Sequence, residues 1–165
     1  MTGERELLKA LDGLSEVDLS RCIGKGISFV QESAKANCPV GEGELRDSIY
    51  TAVEAKGGNV QGICFTNKKQ GSFVEFGTGP KGQVNHDGIS PEVAVAYTQK
   101  PWWIHESQLD PGIAEKYHFF GIETKQGKFY CSSGQAAQPF LYPALANNVD
   151  KVVKIIADES KRSVK

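Results

Sequence analysis

Apolar residues in the first part of the chain recur at the spacing of a helix. The stripe that they form has four members: Ile23, Ile27, Val30 and Ala34. Ser15 or Asp18 is suited to cap the start of this helix, since a short polar side chain accepts from free backbone N–H groups there. Gly24 and Gly26 each cost about 1 kcal/mol inside a helix, so tertiary packing must offset this cost or the helix is bent there. The helix should end at Asn37-Cys38-Pro39, because proline disfavours the helical conformation of the preceding residue.

Strand-like segments follow this helix. Residues 50–55 and 60–65 alternate in part and flank the turn residues Gly57-Gly58-Asn59, which predicts a β-hairpin. Residues 72–76 are predicted to form a third short strand. Residues 44–49, which precede the hairpin, are predicted to form a single helical turn.

The pattern becomes irregular beyond the third predicted strand. Residues 80–118 show no clear periodicity and contain several glycines and prolines, so they are predicted to be a long loop-rich insertion. A stretch of this length without periodicity is usually functional or conditionally disordered. Residues 119–123 and 128–131 flank Gln126-Gly127 and are predicted to form a second hairpin.

The clearest helical pattern lies near the end of the chain. Five apolar residues recur there at helical spacing: Leu141, Leu145, Val149, Val152 and Ile156. Pro143 is tolerated in the first turn of such a helix. The order of elements predicts an α+β fold, with an antiparallel β-sheet flanked by an amino-terminal and a carboxy-terminal helix. Residues 1–165 are predicted to form a single domain, as suits their number.

The overall composition narrows the functional classes. The formal net charge is −1, so the surface as a whole has no electrostatic means of holding phosphates, and direct DNA binding is not expected as the main role. An early apolar run, residues 7–11, is too short for a secretory signal or a membrane span. No two cysteines have the CxxC spacing, and all are predicted to be reduced thiols in a cytoplasmic setting, buried as small apolar side chains: Cys22, Cys38, Cys64 and Cys131.

Candidate catalytic patterns are incomplete. His105-Glu106 resembles the start of a zinc-protease helix, but Leu109 occupies the position of the second histidine. His86 with His105 and Glu106 is the one combination that suggests a small metal-dependent hydrolase, which is the alternative from another functional class. Residues 77–82 lack the spacing of a phosphate-binding loop. We therefore predict a protein that is not an enzyme and has no cofactor.

Three segments, in this order, resemble one known family. Residues 34–49 read A-K-A-N-C-P-V-G-E-G-E-L-R-D-S-I, residues 73–79 read F-V-E-F-G-T-G, and residues 135–145 read Q-A-A-Q-P-F-L-Y-P-A-L. Together they resemble the minor tail components of long-tailed bacteriophages, often called tail-completion or head–tail joining proteins. The chain departs from the family pattern at Cys38, where alanine is common, and at Gly41-Glu42-Gly43, where the family has Asp-Thr-Gly.

This resemblance implies a structural protein of the virion at the head–tail junction. It implies that the chain joins or completes the tail for attachment to the head connector, with the tail tube and the connector as partners. Self-association into a ring is implied as well, with DNA only as cargo in a channel and with no membrane. The expected location is the virion, and the host cytoplasm during assembly. The alternative within the same class is a tail terminator or another minor tail protein.

Aromatic residues are the candidates for the contact surface of such an assembly, because protein interfaces are enriched in them. Six are proposed as interface residues: Phe73, Phe76, Tyr97, Trp102, Trp103 and Tyr117. The alternative that stays open is that the rings in the long insertion cover the core of the domain itself.

Overall fold

The structure is a computed structural model that describes residues 16–41 and 43–163. It contains two compact units: unit 1 is Met1–Gly71 with Pro139–Lys165, and unit 2 is Ser72–Gln138. Helices and antiparallel strands alternate as the sequence predicts, so the α+β class is confirmed. That all residues behave as a single domain stays a prediction.

The elements of the described residues are named here in chain order. They are α1 (Glu16–Asn37), α2 (Glu44–Asp47), β1 (Ile49–Lys56), β2 (Asn59–Thr66), α3 (Lys69–Phe76), α4 (Gly79–Val84), β3 (Trp102–His105), a 3-10 turn (Glu106–Gln108), α5 (Ile113–Lys116), β4 (Phe120–Thr124), β5 (Gly127–Ser132), α6 (Tyr142–Ala146) and α7 (Val149–Ser163).

The long helix α1 is the centre of unit 1. It packs against both strands of the β1–β2 hairpin and against α7. Its fully buried face lies along one stripe: Cys22, Gly26, Val30 and Ala34. Ile23 and Ile27 are half-buried and pack on Gly62 of β2, where an added Cβ would lie 3.0 Å from Ile23 Cγ2. Asp18 lies inside the first turn, so its predicted role as the cap is wrong, and Ser15 lies outside the described residues.

The two-stranded hairpin of unit 1 confirms the first predicted hairpin. Its antiparallel register runs from Ile49 opposite Thr66 to Lys56 opposite Asn59. Ser48, between α2 and β1, is buried and ties the base together: its Oγ lies 2.7 Å from the carbonyl of Leu45 and 2.7 Å from Oγ1 of Thr66. The predicted helical turn is α2, while Glu42, part of the preceding motif, lies outside the described residues.

The last part of unit 1 is two helices where the sequence predicts one. The helix breaks at Asn148, whose side-chain amide donates to the carbonyl of Ala144 at 3.0 Å and to Ser33 Oγ at 3.2 Å. The predicted apolar stripe is therefore wrong in part, because Leu145 and Val149 are exposed, while Val152 and Ile156 are half-buried. Two residues that open this region are fully buried: Phe140 and Ala144.

Unit 2 contains a three-stranded antiparallel sheet in the order β3–β5–β4. Its β4–β5 pair confirms the second predicted hairpin. The predicted third strand at 72–76 is wrong, because these residues are helical in α3. Gly77 follows α3 with a φ of 72°, a left-handed conformation with which helices commonly end.

The loop-rich insertion is more regular than the sequence predicts. Residues 80–118 include most of α4, all of β3, the 3-10 turn and α5, and residues 85–101 alone form a long stretch without helix or strand. Short elements of four residues carry little periodicity, which explains why the pattern did not show them.

The four cysteines are free thiols in the structure. Cys22 and Cys38 are buried, whereas Cys64 and Cys131 are half-buried. In the part of the chain that the structure describes, no helix has both the length and the apolar character needed to cross a membrane.

Candidate interaction surfaces

A pair of crossing backbone segments organises unit 2. Thr78 and Gln135 form an isolated antiparallel bridge, in which the Thr78 N–H donates to the Gln135 carbonyl at 2.9 Å and the Gln135 N–H donates back at 3.1 Å. Gly77 and Gly79, on either side of Thr78, both have positive φ. A Cβ on Gly79 would lie 2.7 Å from Cζ3 of Trp102, so the indole ring rests directly on this backbone. The F-G-T-G segment therefore builds a glycine platform beneath an aromatic ring.

An apolar cleft lies beside this platform and has a volume of about 540 Å³. Four aromatic side chains line it, and we name it the aromatic cleft: Phe73, Phe76, Tyr97 and Trp102. The Tyr97 hydroxyl donates to the Phe76 carbonyl at 2.7 Å, which fixes the tyrosine ring at the wall. His86 stacks on the same ring, with centroids 5.9 Å apart and planes 18° apart. Four of the six predicted interface residues thus come together at one place.

A second apolar surface lies on the sheet of unit 2. Because directly opposed residues share a face, Trp103, Cys131 and Phe120 form one row across β3, β5 and β4. Trp103 and Phe120 are exposed, with ring centroids 6.2 Å apart, and Ile122 extends this face along β4 with 40% exposure. We name Trp103, Phe120 and Ile122 the outer sheet face. Trp102 points to the opposite face, since successive strand residues alternate.

Tyr117 stands apart from both surfaces. It follows α5, is 57% exposed and lies 6.4 Å from the ring of Phe119. The ammonium group of Lys116 lies 5.6 Å from the Tyr117 ring centroid. The predicted set of interface residues is therefore divided between a cleft, a sheet face and an isolated exposed ring.

Sequence reasoning missed Phe120 and Ile122. They lie two positions apart on one strand, and such alternation is a signal of a common face. Residues 119–123 were predicted as a strand, but the face that their side chains share with Trp103 depends on which strands are neighbours. The order β3–β5–β4 is not evident from the pattern.

The histidines and acidic residues considered for metal binding have local structural partners. Nδ1 of His105 lies 2.8 Å from Ser107 Oγ, and Nε2 lies 2.9 Å from the carbonyl of Gln126. Glu106 accepts from the backbone N–H of Lys128 at 3.1 Å. These bonds hold the 3-10 turn against the β4–β5 turn. Within residues 16–41 and 43–163, no three metal-ligating side chains are grouped so that they could hold an ion.

Unit 1 has its own exposed apolar surface on the hairpin. The face of β1 and β2 that carries Val53 and Gly62 is covered by α1, with Val53 and Ile27 among the contacts. The opposite face carries Tyr50 opposite Phe65, which are 47% and 40% exposed with ring centroids 6.2 Å apart. We name this second face the outer hairpin face.

Comparison with known proteins finds a family match for the first part of the chain. Residues 5–77 match the model of the HK97-gp10-like family, described as "Bacteriophage HK97-gp10, putative tail-component". Over this segment the chain is similar to a family of phage tail components. The match confirms the resemblance seen in the sequence over these residues. No curated protein and no solved structure matches the chain.

The matched segment coincides with complete structural elements. It includes all of α1, α2, the hairpin and α3, and it ends at Gly77 of the glycine platform. It contains all of the first motif that carried the resemblance, residues 34–49, and residues 73–77 of the second. The third motif, residues 135–145, lies beyond the matched residues.

Proposed function

We propose that this protein is a phage tail component and that it acts at the head–tail junction, where it completes the tail and joins it to the head connector. The observation that carries the proposal is the match of residues 5–77 to the tail-component family. The third segment, which opens α6, supports it because it follows the other two in the order typical of head–tail joining proteins.

The residues of these segments support a role based on shape and contact. Ser48 and Ile49 of the first segment are buried, as are Phe140 and Ala144 of the third. Gly77 of the second allows two backbone segments to approach, since an added Cβ would lie 2.7 Å from the backbone nitrogen of Ala137. Each motif thus stabilises the fold that presents the surfaces, and the proposed role makes and breaks no covalent bond.

The proposed partners are the tail tube, the head connector and further copies of this chain arranged as a ring. A ring subunit needs two different faces that meet when neighbouring copies are related by rotation. The net charge of −1 suits a ring through which DNA passes as cargo, because strong phosphate binding would retard the passage. The proposed location is the virion, and the host cytoplasm during assembly.

The aromatic surfaces of unit 2 are the proposed contact sites for partner proteins. The outer sheet face is exposed, and the aromatic cleft is an open apolar concavity. Clusters of aromatic rings of this kind are characteristic of interface centres. We assign the contact role to Trp103, Tyr117 and the four rings of the cleft.

The test is deletion of the gene from the phage that carries it, followed by electron microscopy of the lysate. Filled heads and separate, unjoined tails are the expected result, and the wild-type gene supplied in trans should restore joined particles. Normal infectious particles from the deletion would contradict the proposal. Abnormal tail length with joined heads would instead favour a tail terminator.

A further inference from the structure

Within the part of the chain that the structure describes, the β1–β2 hairpin of unit 1 has two unpaired edges. Among residues 16–41 and 43–163 its sheet contains these two strands and no other, so each strand has a described neighbour on one side alone. A two-residue turn, Gly57-Gly58, connects them, so Lys56 and Asn59 form the hydrogen-bonded closing pair. Since hydrogen-bonded and non-hydrogen-bonded pairs alternate, every second residue directs its N–H and C=O away from the hairpin.

These outward backbone groups form the two edges. On β1 they belong to Ile49, Thr51, Val53 and Ala55, and on β2 to Val60, Gly62, Cys64 and Thr66. Gln31 donates to the Ile49 carbonyl at 2.6 Å, which satisfies the base of the β1 edge. For the outward groups of residues 51–55 and 60–64, no hydrogen-bond partner exists among the residues that the structure describes.

The β2 edge also lacks the features that keep strands from pairing. Natural edge strands commonly carry charges, proline or a bulge that discourages addition of a further strand. β2 has none of these, since Asn59–Thr66 contains no charged residue and no proline and pairs without a bulge. β1 has two charges of opposite sign near its end, Glu54 and Lys56. An uncharged edge beside an edge with balanced charges has no electrostatic barrier to pairing.

We propose that β1 of one copy pairs with β2 of the next copy, so that the sheets of adjacent copies become continuous. This inference rests on the proposed function, in which copies of the chain form a ring, and it names the surface that joins them. β1 and β2 run in opposite directions, so placing the β2 edge of a second copy beside β1 gives antiparallel pairing while both copies keep the same orientation. Such a contact is head-to-tail and can repeat around a ring. Pairing of β1 with β1 of a second copy would instead give a closed dimer.

One register satisfies the backbone and side-chain patterns together. If Val53 pairs with Gly62 of the next copy, the outward groups of both edges meet as hydrogen-bonded pairs. The same register puts Tyr50 beside Phe65 of the next copy, so the aromatic rings of the outer hairpin face form an unbroken row. Glu54 then lies beside Gln61 of the next copy, with no like charges opposed.

A disulfide between two singly substituted chains tests this contact. One chain carries Glu54→Cys and the other Gln61→Cys, both on a background with Cys64→Ala and Cys131→Ala, since those two thiols are half-buried. In the proposed register these positions form a non-hydrogen-bonded pair with Cα atoms about 4.5 Å apart, within the range that disulfides span. Because each chain has one introduced cysteine, any bond between the two positions joins different copies.

The experiment uses particles from the gene-deleted phage supplied with both chains, oxidised and analysed on non-reducing gels. We expect a cross-linked dimer of this chain that is absent when either variant is supplied alone. A matched control pair, Glu123→Cys with Lys128→Cys on the β4–β5 hairpin, should give no dimer.

The other outcomes separate the two proposals. Particles that contain the chain but show no mixed dimer would overturn the strand pairing and leave the junction role standing. A dimer from one variant alone would show a twofold contact and overturn the head-to-tail arrangement. Joined, infectious particles that lack the chain would overturn both.

Discussion

Gly26 of α1 lies directly against Ile156 of α7. A Cβ added at Gly26 would come within 2.9 Å of Ile156 Cγ1 and 3.3 Å of Val152 Cγ1, closer than van der Waals contact allows. Glycine inside a helix costs about 1 kcal/mol relative to alanine. In unit 1 this cost is offset because the glycine lets α1 and α7 approach closely. The contact belongs to the buried stripe of α1.

Gly26→Ala should therefore destabilise the protein in spite of the better helix propensity of alanine. We expect a loss of about 1–2 kcal/mol in the free energy of unfolding, because overpacking displaces Ile156. Gly24→Ala is the matched control on the same helix. Its nearest neighbour, Val53 Cγ2, would lie at 3.8 Å, so it should be neutral or stabilise by up to about 1 kcal/mol. Urea titration of both variants gives the comparison, and equal effects would contradict the packing argument.

Gly77 of the glycine platform should tolerate no side chain. Its φ is 72°, and an added Cβ would lie 2.7 Å from the Ala137 nitrogen, so Gly77→Ala combines backbone strain with overlap. Gly112→Ala is the control, since Gly112 has a φ of 83° and no atom within 4 Å. Left-handed strain alone costs about 1–2 kcal/mol. We expect Gly77→Ala to cost at least about 2 kcal/mol more than Gly112→Ala in thermal unfolding; costs within error of each other would refute this.

The outer sheet face offers a test of contact without loss of fold. Trp103→Ala with Phe120→Ala removes two exposed rings, so unfolding free energy should change by about 1 kcal/mol or less. If these rings are central to an interface, binding should weaken by about 2 kcal/mol, or roughly thirtyfold. The measurement is the titre of infectious particles after complementation of the deletion. The control is Val84→Ala, at an 80% exposed position of unit 2, which should leave the titre unchanged. A wild-type titre from the double variant would show that the outer sheet face is not part of the contact surface.

Cys64 should become less reactive on folding. Burial raises the pKa of the Cys64 thiol above its ordinary value of 9.0, an effect that the positive charge of Lys35 opposes in part. The folded chain should therefore be alkylated by iodoacetamide at Cys64 with a midpoint at higher pH than the unfolded chain. Mass spectrometry of labelled peptides measures this, and identical pH profiles would contradict it.

The same pKa shift affects stability. The unfolded thiol ionises first as the pH rises, so the free energy of unfolding should fall as the pH passes above about 9. Cys64→Ala should reduce this fall.

The long elements of the fold could be predicted because their periodicity extends over many residues. α1 and the two hairpins follow directly from helical stripes and turn glycines. The sequence predicts a strand where α3 lies, because Phe73, Val74 and Phe76 suit either conformation over so short a length. Gly77 was the available signal, since a glycine directly after apolar residues is typical of a helix end.

The candidate surfaces could be predicted in composition but not in arrangement. The aromatic residues are visible in the sequence, yet Trp102 and Trp103 point to opposite faces of one strand, and the long-range bridge of Thr78 with Gln135 decides which rings share the aromatic cleft. The exposed side of the C-terminal helices was missed because the break at Asn148 changes the phase of the apolar stripe. Such a change depends on side-chain hydrogen bonds that periodicity does not contain.

The discontinuous make-up of unit 1 has a consequence for the newly synthesised chain. Unit 2 is one continuous run, Ser72–Gln138, and all of its partners leave the ribosome together. Helix α1 and the hairpin are made first but remain without α7 until the last described residues emerge, so the surface around Gly26 is uncovered through most of translation. Premature termination after unit 2 would release a chain that displays this apolar surface and would therefore be prone to aggregate. Chains become competent to assemble once they have been translated through α7.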